Sequence, residues 1–97
     1  MIRLRWAELA YQDLQNISDY LFENSPENAE KLVFTIHETA SALLVFPNRG
    51  RMGKKPGTCE FVIPSLPYIL VYKVEPVIDP GIVHIVRILR GAQDRST

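Results

Sequence analysis

Arg49, Arg51, Lys54 and Lys55 crowd the stretch from Asn48 to Thr58, which also holds three glycines and one proline. Cations so spaced could hold a phosphate and stabilise the charge that develops on it during cleavage. They could also meet an acidic partner, or simply keep a solvated connection soluble. Cleavage needs a base too, and the only histidines are His37 and His84. His37 adjoins the apolar stripe of a predicted helix, and His84 stands among valines and isoleucines. Neither has Cys, Asp or Glu at metal-ligand spacing, so both read as structural, and no metal is expected. Cys59 follows Gly57-Thr58. A nucleophilic thiol needs a base and a lowered pKa, and the nearby lysines supply only charge. Cys59 therefore reads as an ordinary small residue, and no catalytic residue is assigned.

Arg87 and Arg90 lie three apart on the last apolar run, which places them on opposite faces of a strand. Arg87 among apolar neighbours is costly unless it finds an acid or an open face. It is the strongest single candidate for a functional residue. Tyr68 and Tyr72 share one strand face, and the connectivity allows Tyr72 to approach Arg87; the bland alternative is half-buried packing with the hydroxyls at the rim.

These residues need elements to position them. A chain of 97 residues with 46% hydrophobic content makes one domain, residues 1–97, near the low end for a single core. Ile2 to Arg5 alternates as a short strand. Ala10, Leu14, Ile17 and Leu21 recur at helical spacing and predict a helix over 7–22. Ser25 as N-cap and Pro26 at the first helical position predict the start of a second helix, which Pro47 ends. Its stripe is Ala29, Leu32, Val33, Ile36, Ala40, Leu43 and Leu44. So short a break predicts an antiparallel helix hairpin. Asn48 to Thr58 reads as a mobile loop. Strands follow at 60–63, 68–74 and 82–89, with turns at 64–67 and 76–81, and should pair as an antiparallel meander. The expected fold is an α+β sandwich, with the hairpin covering one sheet face.

Charge is balanced overall but not locally. Residues 1–46 carry three basic and seven acidic side chains, whereas residues 47–73 carry five basic ones against Glu60. The positive middle should steer anionic partners, nucleic acid or acidic protein. Met1 to Arg5 leads straight into an amphipathic segment without a secretory h-region, and no apolar run reaches the length of a membrane span. With a single cysteine, a reducing cytoplasm is expected.

The order of these elements carries a family resemblance. Ala10, Asp13-Leu14, Ile17 and Tyr20 fall in the first helix, and Pro26 and Ala29 open the second. Leu43, Pro47 and Gly50-Arg51 close the helical half; Gly57-Thr58, Glu60, Pro67-Tyr68, Tyr72, Arg87 and Gly91-Ala92-Gln93-Asp94 complete the pattern. So ordered, the chain resembles the ParE branch of the ParE/RelE toxin superfamily of plasmid-stabilisation and other toxin–antitoxin modules. The resemblance implies a toxin neutralised by a ParD-like antitoxin and directed at DNA gyrase through protein contacts. No cofactor, no membrane and no direct nucleic-acid contact are implied. Arg49, Arg51, Lys54, Lys55, Tyr68, Tyr72, Arg87 and Arg90 are the candidate partner-binding residues, and the carboxy-terminal tail belongs to the toxic end by resemblance. Two positions depart from the family wording. Cys59 stands where Arg is common, and Arg90 where His is common before Gly-Ala-Gln-Asp. In the RelE-like branch that first basic residue serves messenger RNA cleavage on the ribosome, so its loss argues against such chemistry. A ribosome-dependent endonuclease and an inactive antitoxin-binding scaffold are the alternatives.

Overall fold

The computed structural model describes residues 3–75 and 81–91. Ile2, most of the expected turn at 76–81 and the tail from residue 92 lie outside the described residues. Strand β1 spans Arg3–Trp6, helix α1 Glu8–Asn24 and helix α2 Ala29–Ala42. Strands β2 to β5 span Arg51–Met52, Cys59–Val62, Tyr68–Glu75 and Ile82–Arg90.

The helical stripes are the ones the spacing predicts. Ala10, Leu14 and Leu21 of α1 are buried, as are Ala29, Ile36 and Ala40 of α2 with Leu43 just beyond it. The start of α2 differs. Ser25 ends α1, its N–H donating to the Leu21 carbonyl at 2.7 Å. Its own carbonyl accepts the Asn28 N–H at 2.9 Å, closing a turn with Pro26 in the second position, and α2 begins only after Asn28. Serine then proline suits the opening of such a turn as well as a helix start. At its other end α2 tightens before Pro47: Leu43, Leu44 and Val45 donate to carbonyls three residues back.

The sheet has five strands in the order β1-β5-β4-β3-β2. The strands from β2 to β5 pair antiparallel, so β3, β4 and β5 form the expected meander, with β4 and β5 central. The sheet as a whole is mixed, because β1 pairs parallel with β5. Both helices lie between these two strands in the chain, and a connection of that length permits parallel pairing.

The stretch 48–58 is more ordered than its composition predicts. Arg51 and Met52 form β2 against Glu60 and Cys59. The connection closes where the Gly53 N–H meets the Thr58 carbonyl at 2.8 Å. Within it the Thr58 N–H donates to the Lys55 carbonyl at 3.1 Å, and Gly57 takes φ +81. Proline followed by a positive-φ glycine is the wording of a type II turn. A Cβ at Gly57 would meet nothing within 4 Å, so Gly57→Ala carries only the conformational penalty. It is expected to lower stability by about 1–2 kcal/mol, read as a lower urea midpoint at unchanged slope. An unshifted midpoint would show that the turn does not hold this conformation.

One irregularity sets the faces of β5. Val71 stands opposite Arg87 but Tyr72 opposite Ile85, so Val86 is an extra residue, a β-bulge. Val83 and Ile85 face the helices before it, and Ile88 does so after it. Tyr68, Leu70, Tyr72, Leu4, Trp6 and Phe61 share that side and pack with Ala10, Leu14, Ile36, Ala40 and Leu43 into one core. Among the described residues no element covers the other side of the sheet.

Candidate functional site

Strand alternation and the bulge sort the charged residues by face. By register, Arg3 and Arg5 of β1, Arg51 of β2, Lys73 of β4 and Arg87 of β5 all belong to the open side, with Glu60, Glu75 and His84. The open side is therefore basic, while the seven acids of the first 46 residues fall on or beside the helices.

Arg87 has found its acid. Its Nε donates to Asp13 Oδ2 at 2.7 Å and its Nη2 to Asp13 Oδ1 at 3.1 Å, a two-pronged pair between β5 and α1. Asp13 Oδ2 also accepts the Ile88 backbone N–H at 3.0 Å. β1 reaches only to Ile85 in the register, so Ile88 lies past the end of its neighbour strand. The Asp13 carboxylate thus takes the place of a strand there, satisfying a backbone donor and holding Arg87 at once. The Arg87 side chain remains 41% exposed.

The eight candidate residues separate into two groups. Lys54, Lys55 and Arg87 line one cleft on the open side, together with Glu60. Arg51 joins them at one remove, its Nη2 lying 3.5 Å from Glu60 Oε1. The others lie elsewhere. The Arg49 guanidinium sits 5.0 Å from the centre of the Phe61 ring, a cation–π contact. Arg90 stands opposite Tyr68, on the other face of the strand from Arg87, as its spacing predicts.

Tyr68 and Tyr72 do share a face, but it is the buried one; Tyr72 is 0% exposed. Tyr72 does not adjoin Arg87, because the bulge and the pleat put them opposite different residues on different faces. Its hydroxyl sits inside the protein instead, donating to the Pro47 carbonyl at 2.9 Å and accepting the Gly50 N–H at 2.8 Å. Burial pushes this hydroxyl above the ordinary tyrosine value of 10.0, while the Gly50 donor acts in the opposite direction. Glycine is required at position 50 by space, since a Cβ would come within 2.6 Å of the Tyr72 hydroxyl.

The histidines are far apart in role. His37, on the surface of α2, holds its ring 5.8 Å from that of Trp6. His84, on the open side, is hydrogen-bonded to Glu75. Cys59 pairs in register with Tyr72. Among the described residues no group of three or more His, Cys, Asp or Glu is placed to hold a metal ion, and no helix is long and apolar enough to cross a membrane.

Two features were missed by sequence reasoning. One is Asp13 as the partner of Arg87. Its signal was an acid on the stripe beside the apolar one of α1, but spacing within a helix does not say which strand that acid meets. The other is a groove between the helices, lined by Tyr11, Leu14, Gln15, Ser18, Val33 and His37. Leu9, Tyr11, Tyr20, Phe22 and Phe34 are large apolar side chains exposed on the same two helices.

Comparison with known proteins accounts for the arrangement. A family model described as the ParE toxin of the type II toxin–antitoxin system parDE matches residues 4–95. Toxin RelE2 of Caulobacter vibrioides is 33% identical over 93 residues, which cover 96% of this chain and 99% of the relative. The candidate toxin Y4kP of Sinorhizobium fredii is 33% identical over 72 residues, 74% of this chain and 75% of that protein. Among solved structures, the chromosomal ParDE toxin–antitoxin system from P. aeruginosa superimposes with a TM-score of 0.77 at 27% identity, over 93% of this chain and 96% of that chain. Matched along nearly its whole length, and with the same helices-on-sheet arrangement, the chain belongs to the ParE toxins of type II toxin–antitoxin systems.

Proposed function

We propose that this toxin is held inactive by a cognate ParD-like antitoxin in the cytoplasm and, when released, inhibits DNA gyrase through protein contacts. The observation that carries this reading over RNA cleavage is the engagement of Arg87. A phosphate-cleaving site needs cations poised for the charge that develops on the scissile group. Here Arg87 already grips Asp13 with two hydrogen bonds, and Arg51 leans on Glu60. The antitoxin fits the other side of the molecule. The inter-helix groove, with exposed Tyr11 and Phe34 on the flanking helices, suits the apolar face of an amphipathic helix. Asp19 lines that groove, and the helices carry Lys31 as their sole Lys or Arg, so a helix with basic flanks is the complementary partner.

One observation favours messenger RNA cleavage as a second reading. The hydrogen-bonded His84–Glu75 pair lies on the same sheet face as Arg5, Lys73 and Arg87, and a carboxylate-oriented imidazole is a common general base. Purified toxin tested on gyrase supercoiling and on ribosome-bound message separates the two. Supercoiling should be inhibited while the message stays intact, and adding the antitoxin should restore supercoiling. Cleaved message with normal supercoiling would replace the gyrase reading with the nuclease one. No effect in either assay, with antitoxin still bound, would reduce the chain to a scaffold.

A further inference from the structure

We infer that the open edge of β1 pairs with an extended segment of a partner chain in which acidic and apolar residues alternate. β1 is the outermost strand of the sheet, with β5 as its sole neighbour strand among the described residues. The Arg3 N–H donates to the Gly81 carbonyl at 3.0 Å and the Ala7 N–H to the Ile85 carbonyl at 2.9 Å. Backbone groups alternate in direction along a strand, so those of Leu4 and Trp6 point away from β5. They are the donors and acceptors of a sheet edge, the template on which a further strand is added. The side chains on either face of that edge select what can be added. Arg3 and Arg5 are exposed on the open face, and among the described residues no carboxylate pairs with either. The groups inboard of them do not cancel this charge. Arg5 stands in register with His84 and His84 with the exposed Lys73, while Glu75 is engaged by His84.

Leu4 and Trp6 fix the other half of the pattern. Both are half-buried against the core on the helix side, and the Trp6 ring lies 5.8 Å from that of His37. Residues directly opposite one another on paired strands share a face. An added strand therefore sets acids beside Arg3 and Arg5 and apolar side chains beside Leu4 and Trp6, extending the core by one strand. A second copy of this chain does not fit. In the register that keeps both open faces on one side, Arg3 of one copy would stand opposite Arg5 of the other, and like charges so placed repel. RNA fits less well than a peptide. By register the described strands place no phenylalanine, tyrosine or tryptophan on the open face for bases to stack on, and a phosphate chain brings no apolar side for Leu4 and Trp6.

The inference does not rest on gyrase inhibition, and its test uses neither gyrase nor antitoxin. Trp6 is the single tryptophan of the chain and stands on the edge itself, so its fluorescence reports there. The full chain would be titrated with a hexapeptide of alternating glutamate and valine, capped at both ends. The other probes are the same peptide N-methylated at every peptide bond, a capped peptide of equal composition with its glutamates and valines in two blocks, and a short single-stranded RNA. The alternating peptide should shift Trp6 emission saturably. The N-methylated peptide lacks strand donors and the block peptide lacks the alternation, so both should bind at least tenfold more weakly, and the RNA should leave the emission in place. These comparisons use the parent chain and do not depend on a variant folding. Arg3→Gln with Arg5→Gln should weaken the alternating peptide by about tenfold, a loss of about 1.4 kcal/mol, at an unchanged urea midpoint. Equal binding of the N-methylated or block peptide, a shift produced by RNA but not by peptide, or undiminished binding by the folded double variant would each overturn the assignment. No shift with any probe would overturn it too, leaving Arg3 and Arg5 as charges that guard the edge against pairing.

Discussion

Tyr72→Ala is expected to cost about 3–5 kcal/mol, a large share of the roughly 5–15 kcal/mol that holds a small domain together. Tyr72 lies at the centre of the core with no exposed surface, and its hydroxyl clasps the chain at Pro47 and Gly50. Tyr72→Phe separates the two contributions. Packing is retained, but the Gly50 N–H and the Pro47 carbonyl lose their partner, for a cost of about 1–3 kcal/mol. Urea titrations at neutral pH read both values. If the phenylalanine variant matches the parent, the clasp adds nothing. The same pair of proteins tests the ionisation. Burial raises the folded-state value of Tyr72 above 10.0, so the folded protein favours the neutral phenol. Its contribution is complete below the unfolded value and is lost as pH climbs through that value towards the higher folded one. Stability of the parent should therefore fall more steeply above about pH 10 than that of Tyr72→Phe. Parallel pH curves would remove burial as the cause.

Asp13→Ala is the second large effect. It strips Arg87 of both hydrogen bonds and leaves the Ile88 N–H without its acceptor. Breaking a fully buried pair costs about 3–5 kcal/mol. Arg87 is 41% exposed and can turn to water, so about 2 kcal/mol is expected. Asp13→Asn keeps one oxygen for Ile88 and Arg87 Nε but loses the charge and sets an NH2 group against Arg87 Nη2, at about 1–2 kcal/mol. A double-mutant cycle with Arg87→Ala should return a coupling of about 1 kcal/mol or more. Additive single effects would mean that the two side chains are neighbours without bracing the fold.

The helices were legible because burial at every third or fourth residue writes itself into the apolar spacing, as at Ala10, Leu14 and Leu21. The central strands were legible from their unbroken apolar runs. Direction was not. Alternation in Arg3–Trp6 specifies a strand but carries no mark of which neighbour it meets, and only the tertiary fold sets it parallel beside β5. β2 is two residues long, too short to show any period. Ser25-Pro26 gave a true local signal that two structures can use, and the turn won. The bulge at Val86 lacks a glycine to announce it, yet it decides which residues of β5 share the open face. For the site, the need of Arg87 for an acid could be read from its apolar neighbours. Its partner could not, since Asp13 is 74 positions away. The Tyr72 clasp was invisible because its partners are backbone groups, which every residue has.

The parallel pairing of β1 with β5 also governs timing during synthesis. β5 contacts β1, β4 and α1, so among the described elements it joins the first strand to the last. Translation proceeds at about 5–20 residues per second, so α1 waits several seconds for the strand that will hold it. Until then Asp13 has no arginine to meet, and β1 has no neighbour at all. A chain interrupted before β5 therefore has an open sheet and an α1 without its Asp13–Arg87 brace. A fold whose β1 is locked only by β5 stays incomplete until the strand that holds it has been made.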